Sequence, residues 1–416
     1  MKIRYLLLLL LHKDNLAYRA LRKCRHMLTR KKKTLLGNIQ ACDILFQCEN
    51  FLQGGLENVA LDLMEVFRAN KFNVGLLVLG KTGKAASLAR QGGIPVYELT
   101  YQDDTYTRFL AKAGPKLVLS HYSTHGSALC ALAGIPFVQV IHNTYAWFGE
   151  ALRQDFIGAI QHTTLFIAVS DWVKEYSIKR LELTENKSVV IPNGIDLAPF
   201  RHIDRNNVRA RLRVQHGIGD EEFVFLDMGA ITYQKNHLGM IKAFEIAMHA
   251  CGNSRMVILG PCYKAGLLRE MMDYIAEHGL QGKVFYYGET ARPYEYFAMA
   301  DAFVSASFFE GGQLTFLEAI AANIPIVTSA VGFAANFKER QGIKTVKPVY
   351  DMISFSGAVD EMESTPEFEQ RFAEAMARTW ENPLRPDFSE TELAALDKKH
   401  AYKNYIDLAR KIMGRN

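Results

Sequence analysis

From Asp43 onward, short apolar runs alternate with longer segments in which apolar residues recur every three or four positions. The runs fall at 44–46, 74–79, 117–120, 137–141, 165–169 and 189–191, then at 223–228, 256–259, 284–287, 302–305 and 325–328. Most are apolar at consecutive positions rather than at every second one. That pattern predicts strands buried on both faces, hence parallel sheets covered by helices. Between them Leu56, Val59, Ala60, Leu63 and Phe67 share one helical face, as do Leu238, Ile241, Phe244 and Met248. Two such series predict an α/β chain of two doubly wound, Rossmann-like domains facing each other across a cleft. Pro192 and Gly194, within Ile191-Pro192-Asn193-Gly194-Ile195-Asp196, stop the first series, and a charged stretch at 201–213 precedes the second. Residues 41–198 and 199–388 are therefore read as the two domains. Residues 389–416 read as a helical segment without a strand, crossing back to the first domain, and residues 1–40 as an extension in front.

Composition changes this picture only at the amino terminus. The 416 residues are 49% apolar and 22% charged, as in a globular protein large enough for two or three cores. The six cysteines, Cys24, Cys42, Cys48, Cys130, Cys251 and Cys262, are scattered and form no Cys-x2-Cys pair, so neither a zinc site nor a disulfide framework is expected. The net charge of +5 hides an asymmetry: residues 1–33 carry eleven Lys and Arg against the single acid Asp14, and the rest of the chain is net −5. Leu16, Ala20, Leu21, Cys24 and Leu28 recur at helical spacing among those cations. They predict an amphipathic helix on an anionic membrane surface, or else a solvated basic tail. The leucine run 6–11 is far too short to span a bilayer. Tyr5 and Tyr18 are the only aromatic residues interleaving the basic run, which argues against nucleic acid.

Three loops have the composition of anion sites. Gln53-Gly54-Gly55-Leu56-Glu57 follows the first run and opens a helix, so its backbone N–H groups can approach a phosphate, although paired glycines also make ordinary turns. Lys235 lies in Thr232–His237 at the start of another helix, where a cation suits a diphosphate. The third loop, Phe309-Glu310-Gly311-Gly312-Gln313-Leu314, leads into a helix carrying Glu318 among Phe316, Leu317 and Ile320. A carboxylate in so apolar a helix needs partners if buried, and ribose or sugar hydroxyls can donate to it.

This third block, with Ile324-Pro325-Ile326-Val327 after it, resembles the Glu-x7-Glu signature of the retaining glycosyltransferases of family 4, which have the GT-B fold. Gly54-Gly55-Leu56-Glu57, His121, His142, Ile191–Asp196 and Gln234-Lys235 fall in that family's order, and the likeness runs from about Asp43 to Gly332. It implies a nucleotide-sugar donor, UDP- or GDP-linked, in the second domain and a glycan or lipid-linked acceptor at the first. The implied product belongs to cell-surface polysaccharide or lipopolysaccharide synthesis. Transfer would proceed with retention, without metal or other cofactor, at the cytoplasmic face of the plasma membrane. By the same likeness Glu318 holds the ribose. Glu310, His142 and Lys235 are the catalytic group, and Gly54, Gly55, Gly311, Gly312, Gln313 and Leu314 line the donor. His121, Asn143 and Tyr145 are read on the acceptor side; His121 reads equally as a core histidine, and Tyr145, with Trp147 and Phe148, reads equally as a stacking surface for a sugar or lipid and as packed aromatics of a loop–helix junction. Ala230 departs from the pattern, because the family commonly has an arginine there; Arg292 and Lys264 are candidates to replace it. Two other readings remain: a degenerate GT-B scaffold that binds without transferring, and another GT-B enzyme such as a nucleotide-sugar epimerase.

Overall fold

The computed structural model describes residues 38–414 apart from Glu339. The membrane-helix reading of the basic extension falls on residues up to 37 and so lies outside the described residues.

Among the described residues thirteen strands form two sheets in which every pairing is parallel. The first sheet takes β1 (Ile44–Cys48), β2 (Val74–Val78), β3 (Val96–Glu98), β4 (Leu117–His121), β5 (Phe137–Ile141), β6 (Leu165–Ala168) and β7 (Ser188–Val190), in the order 3-2-1-4-5-6-7. The second takes β8 (Phe223–Met228), β9 (Ser254–Leu259), β10 (Val284–Gly288), β11 (Ala302–Ser305), β12 (Ile326–Ser329) and β13 (Ile343–Val346), in the order 10-9-8-11-12-13. The apolar runs 137–141, 223–228 and 302–305 are strands to the residue. The reading lacked β3 and β13, each at one edge of its sheet; both are short and bear a polar position, exposed Glu98 and half-exposed Lys344.

Because the inner strands alternate between two covered faces, each sheet has a core on either side. In β1, Ile44, Phe46 and Cys48 face the helices Gly55–Ala69 and Asp171–Leu181, while Leu45 faces Tyr106, Phe109 and Cys130. The second sheet is covered on one side by His237–Cys251, Ala265–Glu277 and Pro366–Glu381, and on the other by Arg205–Gln215, Pro293–Met299 and Leu314–Ala321. The carboxy-terminal segment consists of three short helices, Glu390–Ala395, Lys398–Ala401 and Lys403–Ile412, rather than one. Tyr402, Tyr405, Ile406 and Ala409 from this segment pack into the first domain's core, and Lys398 pairs with Asp62 at 2.9 Å. Ile195 and Asp397 form a parallel bridge where the chain crosses between the domains. Gly194 is needed there, since a side chain would strike the backbone of Lys398.

Candidate active site

Each sheet reverses its strand order once, between β1 and β4 and between β8 and β11. In open α/β sheets a crevice forms beyond the carboxyl ends of the strands at such a reversal. The sequence-predicted residues leave those strands: Gly54 and Gly55 follow β1, His121 ends β4, Lys235 follows β8 and Glu310–Leu314 follow β11. His142 follows β5, next to β4.

On the second domain's side two loops form one unit. Gln234 Nε2 donates to the carbonyl of Phe309 and Phe308 N–H donates to that of Gln234, both at 2.9 Å. The stem of Lys235 runs along Gly229, and its Nζ meets Glu310 Oε1 at 2.5 Å. Ser307 Oγ donates to the same carboxylate oxygen at 2.8 Å. The family likeness assigns both to the catalytic group, and the fold pairs them directly. Beyond Glu310 the chain turns into the helix Leu314–Ala321, and no described residue accepts from the backbone N–H of Gly311, Gly312 or Gln313. Unpaired amides at the positive end of a helix favour an anion. Glu318 lies one turn further on. Its carboxylate accepts no hydrogen bond from a described residue, and burial raises its pKa from 4.5 to about 7. Glu318 is half-buried, whereas the side-chain oxygen of Gln313 is buried and unpartnered.

The first domain closes on this unit at two places. A Cβ at Gly311 would run into the carbonyl of His142, so only glycine allows the two backbones to meet. Ser170 Oγ donates to the carbonyl of Gly311 at 2.8 Å, and Asn193 Nδ2 to that of Gly312 at 3.3 Å. At the other place Tyr263 donates to the carbonyl of Gln53 at 2.7 Å and Gln53 bonds to Glu289, while Leu314 lies opposite Gly55. Sequence reasoning missed Ser170, Ser307 and Tyr263. Ser170 is legible as the cap of the helix Asp171–Leu181, but nothing local reveals its bond across the cleft.

The acceptor-side residues divide. His142 is 9% exposed and its Nε2 lies 2.7 Å from His121 Nδ1. His121 is wholly enclosed, and burial lowers its pKa from 6.5 to about 3; burial, then the neighbouring His121, lowers that of His142 well below the usual range. His121 thus stands behind His142 and cannot itself touch an acceptor. Asn143 keeps an unpartnered side-chain oxygen. Tyr145 is 0% exposed and stacks on Phe148 at 4.6 Å, so it is core rather than a contact surface. Trp147, 39% exposed and 6.3 Å from Phe309, is the accessible aromatic of this loop. Behind it a separate cavity of about 430 Å³ is lined by Phe148, Arg153, Tyr176 and Phe355. Arg153 is already held there by Glu150 and Glu182.

Of the candidates to replace an arginine at Ala230, Arg292 is taken by Glu295 at 2.7 Å. Lys264 lies 5.7 Å over the ring of Tyr233, beside Lys235, and pairs with no described carboxylate. Among the described residues no cluster of three or more His, Cys, Asp or Glu is placed to hold a metal ion.

Residues 208–379 match the family model described as glycosyl transferases group 1, and residues 53–199 match that described as glycosyltransferase family 4. Over 164 residues the chain is 31% identical to the alpha-monoglucosyldiacylglycerol synthase of Streptococcus pneumoniae, covering 38% of this chain and 35% of that one. Over 240 residues it is 26% identical to the UDP-Gal:alpha-D-GlcNAc-diphosphoundecaprenol alpha-1,3-galactosyltransferase of Escherichia coli, covering 54% and 60%. The chain spans between 34% and 60% of the length of five curated relatives it matches. In three dimensions it resembles Alr3699/HepE of Anabaena, solved in complex with UDP, with a TM-score of 0.68 and 18% identity over 89% of this chain and 95% of that one. That likeness is one of fold.

Proposed function

Because this chain belongs to the group 1 glycosyltransferases of family 4 and has their GT-B fold, we propose that it moves a hexose from a nucleoside-diphosphate sugar to a glycan or lipid-linked acceptor, with retention at the anomeric carbon. Glu318 carries this reading. The carboxylate is half-buried on an apolar helix with no protein partner and is costly to ionise there, and two ribose hydroxyls would supply the donors it lacks. With the ribose held there, the diphosphate would lie toward the free amides of Gly311, Gly312 and Gln313 and toward Lys235.

The leaving nucleoside diphosphate is then stabilised by fixed charge and dipoles already in place, with no metal required. Lys235 serves both Glu310 and the phosphates, and Lys264 adds the second cation that Ala230 does not provide. Glu310, held by Lys235 and Ser307, faces the sugar. Gly54 and Gly55 approach the distal phosphate from the opposite domain. His142 faces the sugar, and Trp147 offers the acceptor a surface on which to stack. Retention follows if the acceptor hydroxyl enters on the face from which the diphosphate departs.

The relatives named above act on lipid or lipid-linked substrates by their names, and the +10 charge of residues 1–33 suits an anionic membrane surface. No helix among the described residues is long and apolar enough to cross a membrane. We therefore place the enzyme peripherally at the inner face of the plasma membrane, acting in surface polysaccharide or lipopolysaccharide synthesis. A binding scaffold without transfer is favoured by Ala230 alone. Incubation with a panel of UDP- and GDP-sugars, read by mass spectrometry, tests the choice: turnover of one donor supports the transferase, and binding without turnover of any supports the scaffold.

A further inference from the structure

Both domains build the cavity beside Trp147. Phe148 lines it from the loop after β5, Arg153 and Tyr176 from the helices Glu150–Ile160 and Asp171–Leu181, and Phe355 and Ser356 from a second-domain loop after β13. Its volume of about 430 Å³ is that of a small-molecule pocket. The walls are already fixed. Arg180 Nη2 donates across the domains to the carbonyl of Phe355 at 3.1 Å. Within the second-domain loop the Phe355 N–H donates to the carbonyl of Asp351 at 2.9 Å and the Ile353 N–H to its carboxylate at 3.0 Å. Arg153 donates to both carboxylate oxygens of Glu150, at 3.0 and 3.1 Å, and to Glu182 at 3.2 Å.

This lining separates three classes of ligand. An acyl chain would strip water from Glu150, Arg153, Lys179 and Arg180 and give nothing back. An anion would find Arg153 and Lys179 already paired with carboxylates, and Glu150 itself in the wall. A neutral sugar suits the site. Its hydroxyls both donate and accept, and the paired guanidinium and carboxylate groups keep N–H groups and lone pairs to spare. Its C–H face can lie on a flat ring, and Phe148 and Phe355 are half-buried rings of the lining. Aromatic side chains also lead there from the candidate active site: Phe309, next to Glu310, is 6.3 Å from Trp147, and Trp147 is 6.3 Å from Phe148.

We propose that this cavity is a subsite for a neutral sugar of the acceptor, one beyond the sugar that reacts, so that the acceptor carries at least two sugars. The link to the acceptor rests on the glycosyltransferase reading; the binding of a neutral sugar in the cavity does not.

The test applies the labelled full chain to an array of immobilised mono-, di- and trisaccharides, neutral and phosphorylated. The expected result is binding of a neutral di- or trisaccharide in preference to its component monosaccharides. Ser356→Trp, at an exposed position of the lining, fills the cavity without removing a packed side chain and should abolish that binding with the melting temperature unchanged. Phe355→Leu keeps apolar bulk but removes the ring, and should weaken binding roughly three- to tenfold, the scale of one aromatic contact. The inference is overturned if no neutral oligosaccharide binds, if binding is confined to phosphorylated probes, or if Ser356→Trp binds as wild type does. Should either variant fail to fold, a crystal of the wild-type protein with the bound oligosaccharide decides, since a sugar lying away from Phe355 also overturns the inference. A protein that binds the oligosaccharide but transfers no sugar to it from any donor would instead count against the transferase reading.

Discussion

Replacing Glu318 with glutamine separates the cost of this carboxylate from its use. An ordinary carboxyl ionises near 4.5 and this one near 7, so the folded protein without nucleotide is less stable by about 3 kcal/mol once the group is ionised. The sign follows from proton uptake. Between pH 4.5 and 7 the unfolded chain is ionised while the folded one keeps its proton, so stability falls as pH rises through that window. Glu318→Gln removes the titration. The variant should melt higher than wild type at pH 8, by as much as about 3 kcal/mol, and should show no advantage below pH 4.5. Nucleotide binding should move the opposite way. Hydrogen bonds to a charged group contribute about 1.5–3 kcal/mol each, so the variant should bind UDP or GDP about 10- to 100-fold more weakly at pH 8. Wild-type affinity should also weaken below pH 7, where the carboxylate must first lose its proton, whereas the variant's should stay flat. Thermal melts and titration calorimetry from pH 5 to 8 measure both. A variant that melts no higher at pH 8 and binds nucleotide as wild type does would show Glu318 to be an ordinary surface acid and refute the reasoning.

Gly311→Ala places a methyl group against the carbonyl of His142, forcing the domains apart at this contact; melting should fall by several degrees and transfer by more than about tenfold, read by calorimetry and product formation. Lys235→Met leaves Glu310 with Ser307 as its only side-chain partner and should cost about 2 kcal/mol. The double variant Lys235→Met/Glu310→Gln should regain that stability without regaining transfer, and wild-type transfer by Lys235→Met would remove Lys235 from the phosphate site. Removing residues 1–37 should abolish flotation with anionic liposomes and leave nucleotide affinity unchanged; equal partition of both forms would dismiss the membrane surface as a partner.

The interior of the fold was legible because strands covered on both faces must be apolar nearly throughout, as at Phe137–Ile141 and Phe223–Met228. One edge of each sheet was not. Val96–Glu98 and Ile343–Val346 are short edge strands whose polar positions are exposed or half-exposed, so neither run length nor composition distinguishes them from loops. The candidate site divides the same way. Glycine loops and acids after strands can be recognised locally, so Gly55, Lys235, Glu310 and Glu318 were all named. Their partnerships arise from folding: Lys235 and Glu310 are 75 residues apart, and Ser170 and Gly311 are 141 apart. Tyr145 was misplaced because an aromatic residue at a loop–helix junction reads alike whether it faces a ligand or, as here, packs among Tyr122, Phe148 and Phe156.

A crystal structure of the wild-type protein soaked with UDP or GDP, whichever calorimetry shows to bind, bears on all of this at once. The ribose hydroxyls should lie within about 3 Å of the Glu318 carboxylate, with the diphosphate against the amides of Gly311–Gln313 and the ammonium of Lys235. Nucleotide bound elsewhere, with Glu318 still unpartnered, would contradict the account.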